Sequence, residues 1–169
     1  MHIIRRAELF AAAAHMAVGQ VRKYTGEPYY VHPRDVAYIV EHAGGDDNMI
    51  AAAHLHDVVE DTDITLQQIQ DFFGADIADL VGWLTDVSKP TDGNRAERKA
   101  IDRAHTAQAS VRAKTIKLAD LISNTRSIVE HDEKFARVYL EEKRLLLIEA
   151  LHDADPVLLE RAWSQIGVD

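Results

Sequence analysis

Ala51-Ala52-Ala53-His54-Leu55-His56-Asp57-Val58-Val59-Glu60-Asp61-Thr62-Asp63 is the stretch that decides how the rest of the chain is read. An Ala-rich apolar run without a breaker reads as helix. On a helix, positions three and four apart share a face. Glu60 follows His56 by four residues and Asp57 by three, and Asp61 follows Asp57 by four. We therefore expect His56, Asp57, Glu60 and Asp61 to form one polar strip on a helix whose other face is Ala, Leu and Val. Carboxylates at a helix C-terminus oppose the macrodipole, and three of them together repel one another. A divalent cation is the simplest group that relieves both. For a lone His-Asp pair, a solvated acidic helix end is the simpler account. The following Glu-Asp pair makes the pattern more specific, and ligands from elsewhere in the chain would make it a metal site.

Working outward, no strand alternation, internal repeat, linker or low-complexity tract interrupts the 169 residues. The expectation is one all-α domain over 1–169, a helical bundle of roughly eight or nine helices. Helices are expected over about Ile4–Val18, Pro33–His42, the central stretch, Thr65–Phe73, Asp76–Val87, Arg95–Ala109, Ala113–Val129, His131–His152 and Pro156–Ile166. Asp46 or Asp47 can cap the central helix. Thr65 with Gln68 forms a capping-box pattern, and Asp155-Pro156 introduces the last helix.

With 47% hydrophobic and 28% charged residues, the chain reads as globular. It has no cysteine, so disulfides and thiolate metal sites are excluded and any metal must be held by His and carboxylate. That composition fits a reducing compartment, and a cytoplasmic location is expected. A net charge of −9 argues against broad electrostatic binding to nucleic acid or an anionic membrane. No uncharged run approaches the ~20 residues of a membrane span.

Two other segments could complete the central strip. His32 sits directly before Pro33, which disfavours a helical backbone and predicts an extended setting. Asp120, in Lys117-Leu118-Ala119-Asp120, is followed four residues later by Asn124 on the same helical face. Standing alone, His32 is more often an ordinary turn histidine, and on spacing alone Asp120 with Asn124 is equally a surface Asp-Asn pair. Two His and two Asp would suit a borderline or hard ion such as Mn²⁺, Fe²⁺ or Zn²⁺. Arg22-Lys23, before the Gly26 turn, could hold phosphate or a base, and a solvated basic loop fits equally well. His54, His15, His42, His105, His131 and His152 have no such company and read as core or surface histidines.

Taken together, Gln20-Val21-Arg22-Lys23, Gly26-Glu27-Pro28-Tyr29, His32-Pro33, His56-Asp57 through Leu66, Phe73-Gly74 and Lys117-Leu118-Ala119-Asp120 with Asn124 and Arg126 resemble the HD superfamily of metal-dependent phosphohydrolases. The narrower resemblance is to the hydrolase domain of the Rel/SpoT alarmone enzymes and its small stand-alone relatives, the metazoan SpoT homologue among them. The segments occur in that family's order from about residue 5 to 150. The resemblance implies hydrolysis of guanosine 3′-diphosphate 5′-di- or triphosphate with release of 3′-pyrophosphate, and one divalent ion, usually Mn²⁺. It implies His32, His56, Asp57 and Asp120 as ligands and Glu60 and Asp61 as the catalytic acidic pair. It places Arg22, Lys23, Asn124 and Ser127 along the nucleotide. It also implies no synthetase activity, since the chain ends where the long enzymes begin that domain.

The chain departs from the family at the longer Tyr24-Thr25 turn, at Leu121 in place of a basic residue, and at Ser123 in place of a His or aromatic. Two other functions remain open at this point. One is hydrolysis of another 3′- or 2′-phosphorylated nucleotide, such as an adenosine alarmone or NADPH. The other is a nucleotide-binding HD domain without catalysis, against which the intact Glu60-Asp61 pair argues.

Overall fold

Side-chain caps start most of the helices where the sequence places them. In the computed structural model, which describes residues 1–167, Asp46 accepts the Asn48 and Met49 amides, and Thr65 and Gln68 exchange both bonds of a capping box. Asn94 with Glu97 forms a second box, and Asp155 accepts the Leu158 amide ahead of Pro156. The described residues hold ten helical segments and an isolated Val21–Pro28 bridge. No helix among them is long and apolar enough to cross a membrane. The chain divides into one unit over Met1–Thr85 and a second from Asp86 onward.

The first unit contains α1 (Ile3–Ala17), α2 (Val31–His42), α3 (Asp47–Leu55), α4 (Val58–Asp61), α5 (Leu66–Phe73) and α6 (Ala75–Leu84). Its centre is α3, which packs on α1, α2 and α6. Met49 to Leu55 are all buried, and Ala51, Ala52 and Ala53 are fully so. Three consecutive alanines let neighbouring helices approach α3 from all sides. A helix apolar all round belongs in a core, which is where this one lies.

Three expectations change here. The central helix is not continuous: α3 stops at Leu55 and a single turn, α4, resumes at Val58. The ring Nδ1 of His56 lies 2.8 Å from the Ala53 carbonyl, the acceptor that the Asp57 amide would use in an unbroken helix. His32 is helical, not extended, and lies in the first turn of α2. Pro33 is then the third helical residue, where the missing N–H would have had no intrahelical acceptor, so nothing is lost. Finally, α6 ends at Leu84, because Thr85 turns extended while its hydroxyl bonds the Val81 carbonyl.

The second unit contains α7 (Arg95–Ala107), α8 (Val111–His131), α9 (Glu133–Glu149) and α10 (Pro156–Ser164). α9 and α10 pack on α8, and α7 packs on α9. Lys143 of α9 is 1% exposed and donates to Thr125 Oγ1 at 3.0 Å and to Gln165 Oε1 at 2.7 Å. No carboxylate pairs with it among the described residues. Burial lowers the Lys143 amine to about 8 from 10.5. Between those two values the native chain holds fewer protons than the unfolded one, so stability rises with pH across that window. Below about pH 8 the whole penalty is present, on the order of 3 kcal/mol. Lys143→Met is therefore expected to stabilise the protein by about 1–3 kcal/mol at pH 7, with the gain shrinking toward pH 10. Urea unfolding at the two pH values measures this. An equal or lower stability at pH 7 would show that the two hydrogen bonds outweigh desolvation.

Candidate metal centre and active site

The break after α3 and the start of α2 bring His56, Asp57 and His32 together. One ligand atom from each lies within 4.8 Å of the other two, and both histidines are buried. Asp57 Oδ2 is 3.0 Å from His56 Nε2 and 3.7 Å from His32 Nε2. Ligand atoms each about 2.1 Å from a shared ion stand roughly 3.0 Å apart at right angles and 3.4 Å apart in a tetrahedron. The observed spacings bracket those values. The carbonyl of Ala53 can only accept, so His56 Nδ1 carries the proton and Nε2 presents its lone pair toward the group. A backbone carbonyl in this role is the usual support of a metal-binding imidazole. The donor set of two nitrogens and a carboxylate oxygen fits a divalent metal.

A second set of side chains surrounds these three. Tyr29 donates its hydroxyl to Asp57 Oδ2 at 2.6 Å. Its ring packs against both His15 and His32, at centroid distances of 4.8 and 5.9 Å. Gln20 Nε2 donates to Asp61 Oδ2 at 2.8 Å, and Gln20 Oε1 pairs with His15 Nδ1 at 2.7 Å. Glu60 and Asp61 sit on the exposed side of α4, one turn beyond the His56-Asp57 pair.

The basic loop belongs to the same unit. The Arg22 amide donates to the Glu27 carbonyl at 2.8 Å, and the Gly26 amide to the Arg22 carbonyl at 2.9 Å. Gly26 has φ +71°, a conformation that L side chains rarely adopt, so glycine closes the turn that Tyr24 and Thr25 lengthen. The Arg22 guanidinium lies 5.8 Å from the Tyr29 ring centre. Lys23 reaches back over the ring of Tyr24.

The remaining candidates lie in the second unit. Asp120 is 7% exposed in mid-α8, accepts a 2.7 Å bond from Asn124 Nδ2, and faces Lys117 Nζ at 3.4 Å. Ser127 follows on the same helix, and its carbonyl accepts from His131 Nδ1. Asp120 and Asn124 line a cavity of about 320 Å³, together with Arg95, Lys99, Phe135 and Tyr139. Burial alone would raise the Asp86 carboxyl at its rim. Lys117 and Lys99 outweigh that and hold it below the usual carboxylate range. Burial, reinforced by the charge of Asp120, pushes the Tyr139 hydroxyl well above an ordinary tyrosine.

Sequence reasoning passed over His15, Gln20 and Tyr29 as functional residues, although Gln20 and Tyr29 stand inside the quoted motifs. His15 is fully buried. Its signal was the distance of five residues to Gln20 across Gly19. His54 stands apart from the metal group, as expected from its face. Burial lowers it to about 4, against the opposing pull of the Glu8 charge.

Comparison with known proteins matches these features to one family. A family model described as HD domain matches residues 7–146. A Synechocystis protein named probable guanosine-3′,5′-bis(diphosphate) 3′-pyrophosphohydrolase is 41% identical over 145 residues, which are 83% of this chain and 19% of that one. A Xenopus tropicalis protein named guanosine-3′,5′-bis(diphosphate) 3′-pyrophosphohydrolase MESH1 is 38% identical over 130 residues, covering 75% of this chain and 69% of the relative. Among solved structures, a metazoan ortholog of SpoT, described as hydrolysing ppGpp with a role in starvation responses, aligns over 99% of this chain and 95% of its own. Its TM-score is 0.87 at 27% identity. The match includes the His56-Asp57 pair and extends into the second unit, and the chain belongs to the HD domain family.

Proposed function

We propose that this chain hydrolyses guanosine 3′-diphosphate 5′-di- or triphosphate, releasing pyrophosphate from the 3′ position, with one divalent ion, Mn²⁺, as cofactor and the cytoplasm as its setting. The observation that carries the reading is the convergence of His32, His56 and Asp57 with the acidic pair one turn beyond. Asp120 is the proposed fourth ligand, supported by its motif order and by its burial in mid-helix. The names of the relatives from Synechocystis and Xenopus support the substrate.

Held by these ligands, the ion supplies Lewis-acid charge at the phosphoryl group and makes water a better nucleophile. Glu60 and Asp61 orient the attacking water and take its proton. The water oxygen bonds to the phosphorus beside O3′ as the O3′–phosphorus bond breaks, and a proton ends on O3′. Arg22 and Lys23 offset the phosphate charge that a chain of net charge −9 would otherwise repel. Asn124 and Ser127 are the proposed nucleotide contacts from the second unit, where Asn124 lines the cavity.

A second reading, hydrolysis of another 3′- or 2′-phosphorylated nucleotide such as NADPH or an adenosine alarmone, is favoured by one observation. Leu121, apolar, lines that same cavity.

Incubation with ppGpp, pppGpp, NADPH and an adenosine 3′-diphosphate alarmone plus Mn²⁺, with products separated by chromatography, tests both. GDP and pyrophosphate from ppGpp at the highest kcat/KM support the first reading; preference for NADPH supports the second. Arg22→Ala is expected to raise KM for the best substrate about tenfold, the scale of losing one hydrogen bond to a charged group. Unchanged kinetics would remove Arg22 from the nucleotide site.

A further inference from the structure

We propose that Gln20, oriented by His15, is a positioning residue that holds the Asp61 carboxylate in its working direction. The proposal rests on the hydrolase reading for the work that Asp61 does.

The backbone mounts Gln20 firmly. Gly19, with φ +67°, reverses the chain at the end of α1, where its amide bonds the Met16 carbonyl. The Gln20 amide then bonds the His15 carbonyl at 3.1 Å, and the Gln20 carbonyl accepts the Tyr29 amide at 3.2 Å. The side chain is left spanning the gap between His15 and Asp61.

Hydrogen-bond polarity orders the three groups. An ionised carboxylate can only accept, so the amide nitrogen of Gln20 must face Asp61. Its carbonyl oxygen must then face His15, and His15 Nδ1 must carry the proton. That leaves His15 Nε2 as a bare lone pair, and this atom is buried with no hydrogen-bond partner among the described residues. An unmet buried polar atom is destabilising. For stability alone, an apolar side chain would serve better at position 15. The histidine makes sense as the donor that keeps the amide of Gln20 from flipping. With Oδ2 of Asp61 held by Gln20, the other carboxylate oxygen is left to meet water. Tyr29 closes the arrangement, since it packs on the His15 ring and holds Asp57 through its hydroxyl.

The test combines kinetics with a readout that needs no turnover. Gln20→Ala is expected to lower kcat about ten- to a hundredfold, the scale of a misplaced catalytic group, with KM and bound metal within about twofold of wild type. His15→Leu should behave alike, and His15→Asn, whose side-chain amide can take the place of Nδ1–H, should recover most of the loss. In the Asp61→Asn background, Gln20→Ala should add little, because the residue it positions is already disabled. The side-chain amide signals of Gln20, followed by NMR in metal-free protein, should move in both His15→Leu and Asp61→Asn. An active wild type with an unimpaired Gln20→Ala variant overturns the positioning role and leaves the hydrolase reading standing. Equal losses in the wild-type and Asp61→Asn backgrounds also overturn it, in favour of a structural role. If wild type hydrolyses none of the nucleotides, the hydrolase reading fails. The NMR arm still decides whether the relay exists: amide signals indifferent to both substitutions overturn it.

Discussion

Asp57→Ala is expected to strip the protein of its metal and to reduce nucleotide hydrolysis to background. Asp57 Oδ2 is the atom shared by both short contacts in the metal group, to His56 Nε2 and to His32 Nε2. Removing it deletes the only carboxylate of the trio and leaves two imidazoles with the proposed ligand Asp120, a donor set that binds a hard or borderline divalent ion more weakly for the loss of an anionic oxygen. Loss of a supporting residue around a metal typically costs about 10–100-fold in affinity, and loss of a ligand itself should exceed that. The fold should survive, because Asp57 lies at the break between α3 and α4 and packs no core of its own. Metal analysis after gel filtration, paired with a melting curve, separates the two effects. A folded variant that keeps its full complement of metal would exclude Asp57 as a ligand. Tyr29→Phe provides a graded control: it removes the 2.6 Å bond to Asp57 without removing the ligand, so a partial loss of affinity is expected.

How much of this could be read from residues alone depends on how local each interaction is. The caps at Asp46, Thr65 and Asp155 were legible because a cap is settled by three or four consecutive residues. That His56 and Asp57 lie together beside the core was legible for a different reason. His-Asp followed by Glu-Asp is a dense polar cluster beside a run of alanines, and only a strong partner justifies that beside a core. His32 was a candidate partner before any resemblance, although the extended-backbone argument had placed it in the wrong conformation. The rule about residues before proline failed there because Pro33 falls in the first helical turn. The break at His56 was not legible. It depends on a side-chain nitrogen taking a backbone acceptor, and periodicity carries no information about that competition.

The support around the site was hidden by the same kind of distance. His15 reads as one of several scattered histidines until Gly19 folds Gln20 back onto it. In the second unit, Arg95–Ala109 reads only as a charged helix. Its Arg95 and Lys99 become cavity residues because α7 packs on α9, and nothing within thirty residues of them announces that. Arg95 is further tied to Glu142 of α9 by a two-pronged ion pair, and its guanidinium lies 5.2 Å from the ring centre of Phe135. A charge that looks free in the sequence is thus a fixed part of the wall.

Glu60→Gln and Asp61→Asn are each expected to lower kcat by roughly 10²-fold or more, the usual scale for removing a general acid–base group. Both substitutions keep size and most hydrogen bonding and delete only the charge. Neither residue belongs to the trio whose ligand atoms converge, so metal content should change little. The two should not be equivalent in detail. Asp61 is held by Gln20 through Oδ2, and an asparagine there can rotate to present its oxygen to the same donor. Its effect should then fall on the proton transfer and leave KM nearly untouched. Glu60 has one more methylene and stands on the exposed side of α4, so its replacement should disturb the placement of water more than that of neighbouring protein. If the pair acts as one unit on a single water, the double variant should be scarcely worse than the poorer single one. Steady-state kinetics with saturating Mn²⁺, alongside metal analysis and nucleotide titration, measures all three quantities on the same preparations. A double variant that retains its metal and turns over substrate near the wild-type rate would reject the catalytic assignment. Nucleotide binding unchanged in that variant would then favour a domain that senses the nucleotide without hydrolysing it.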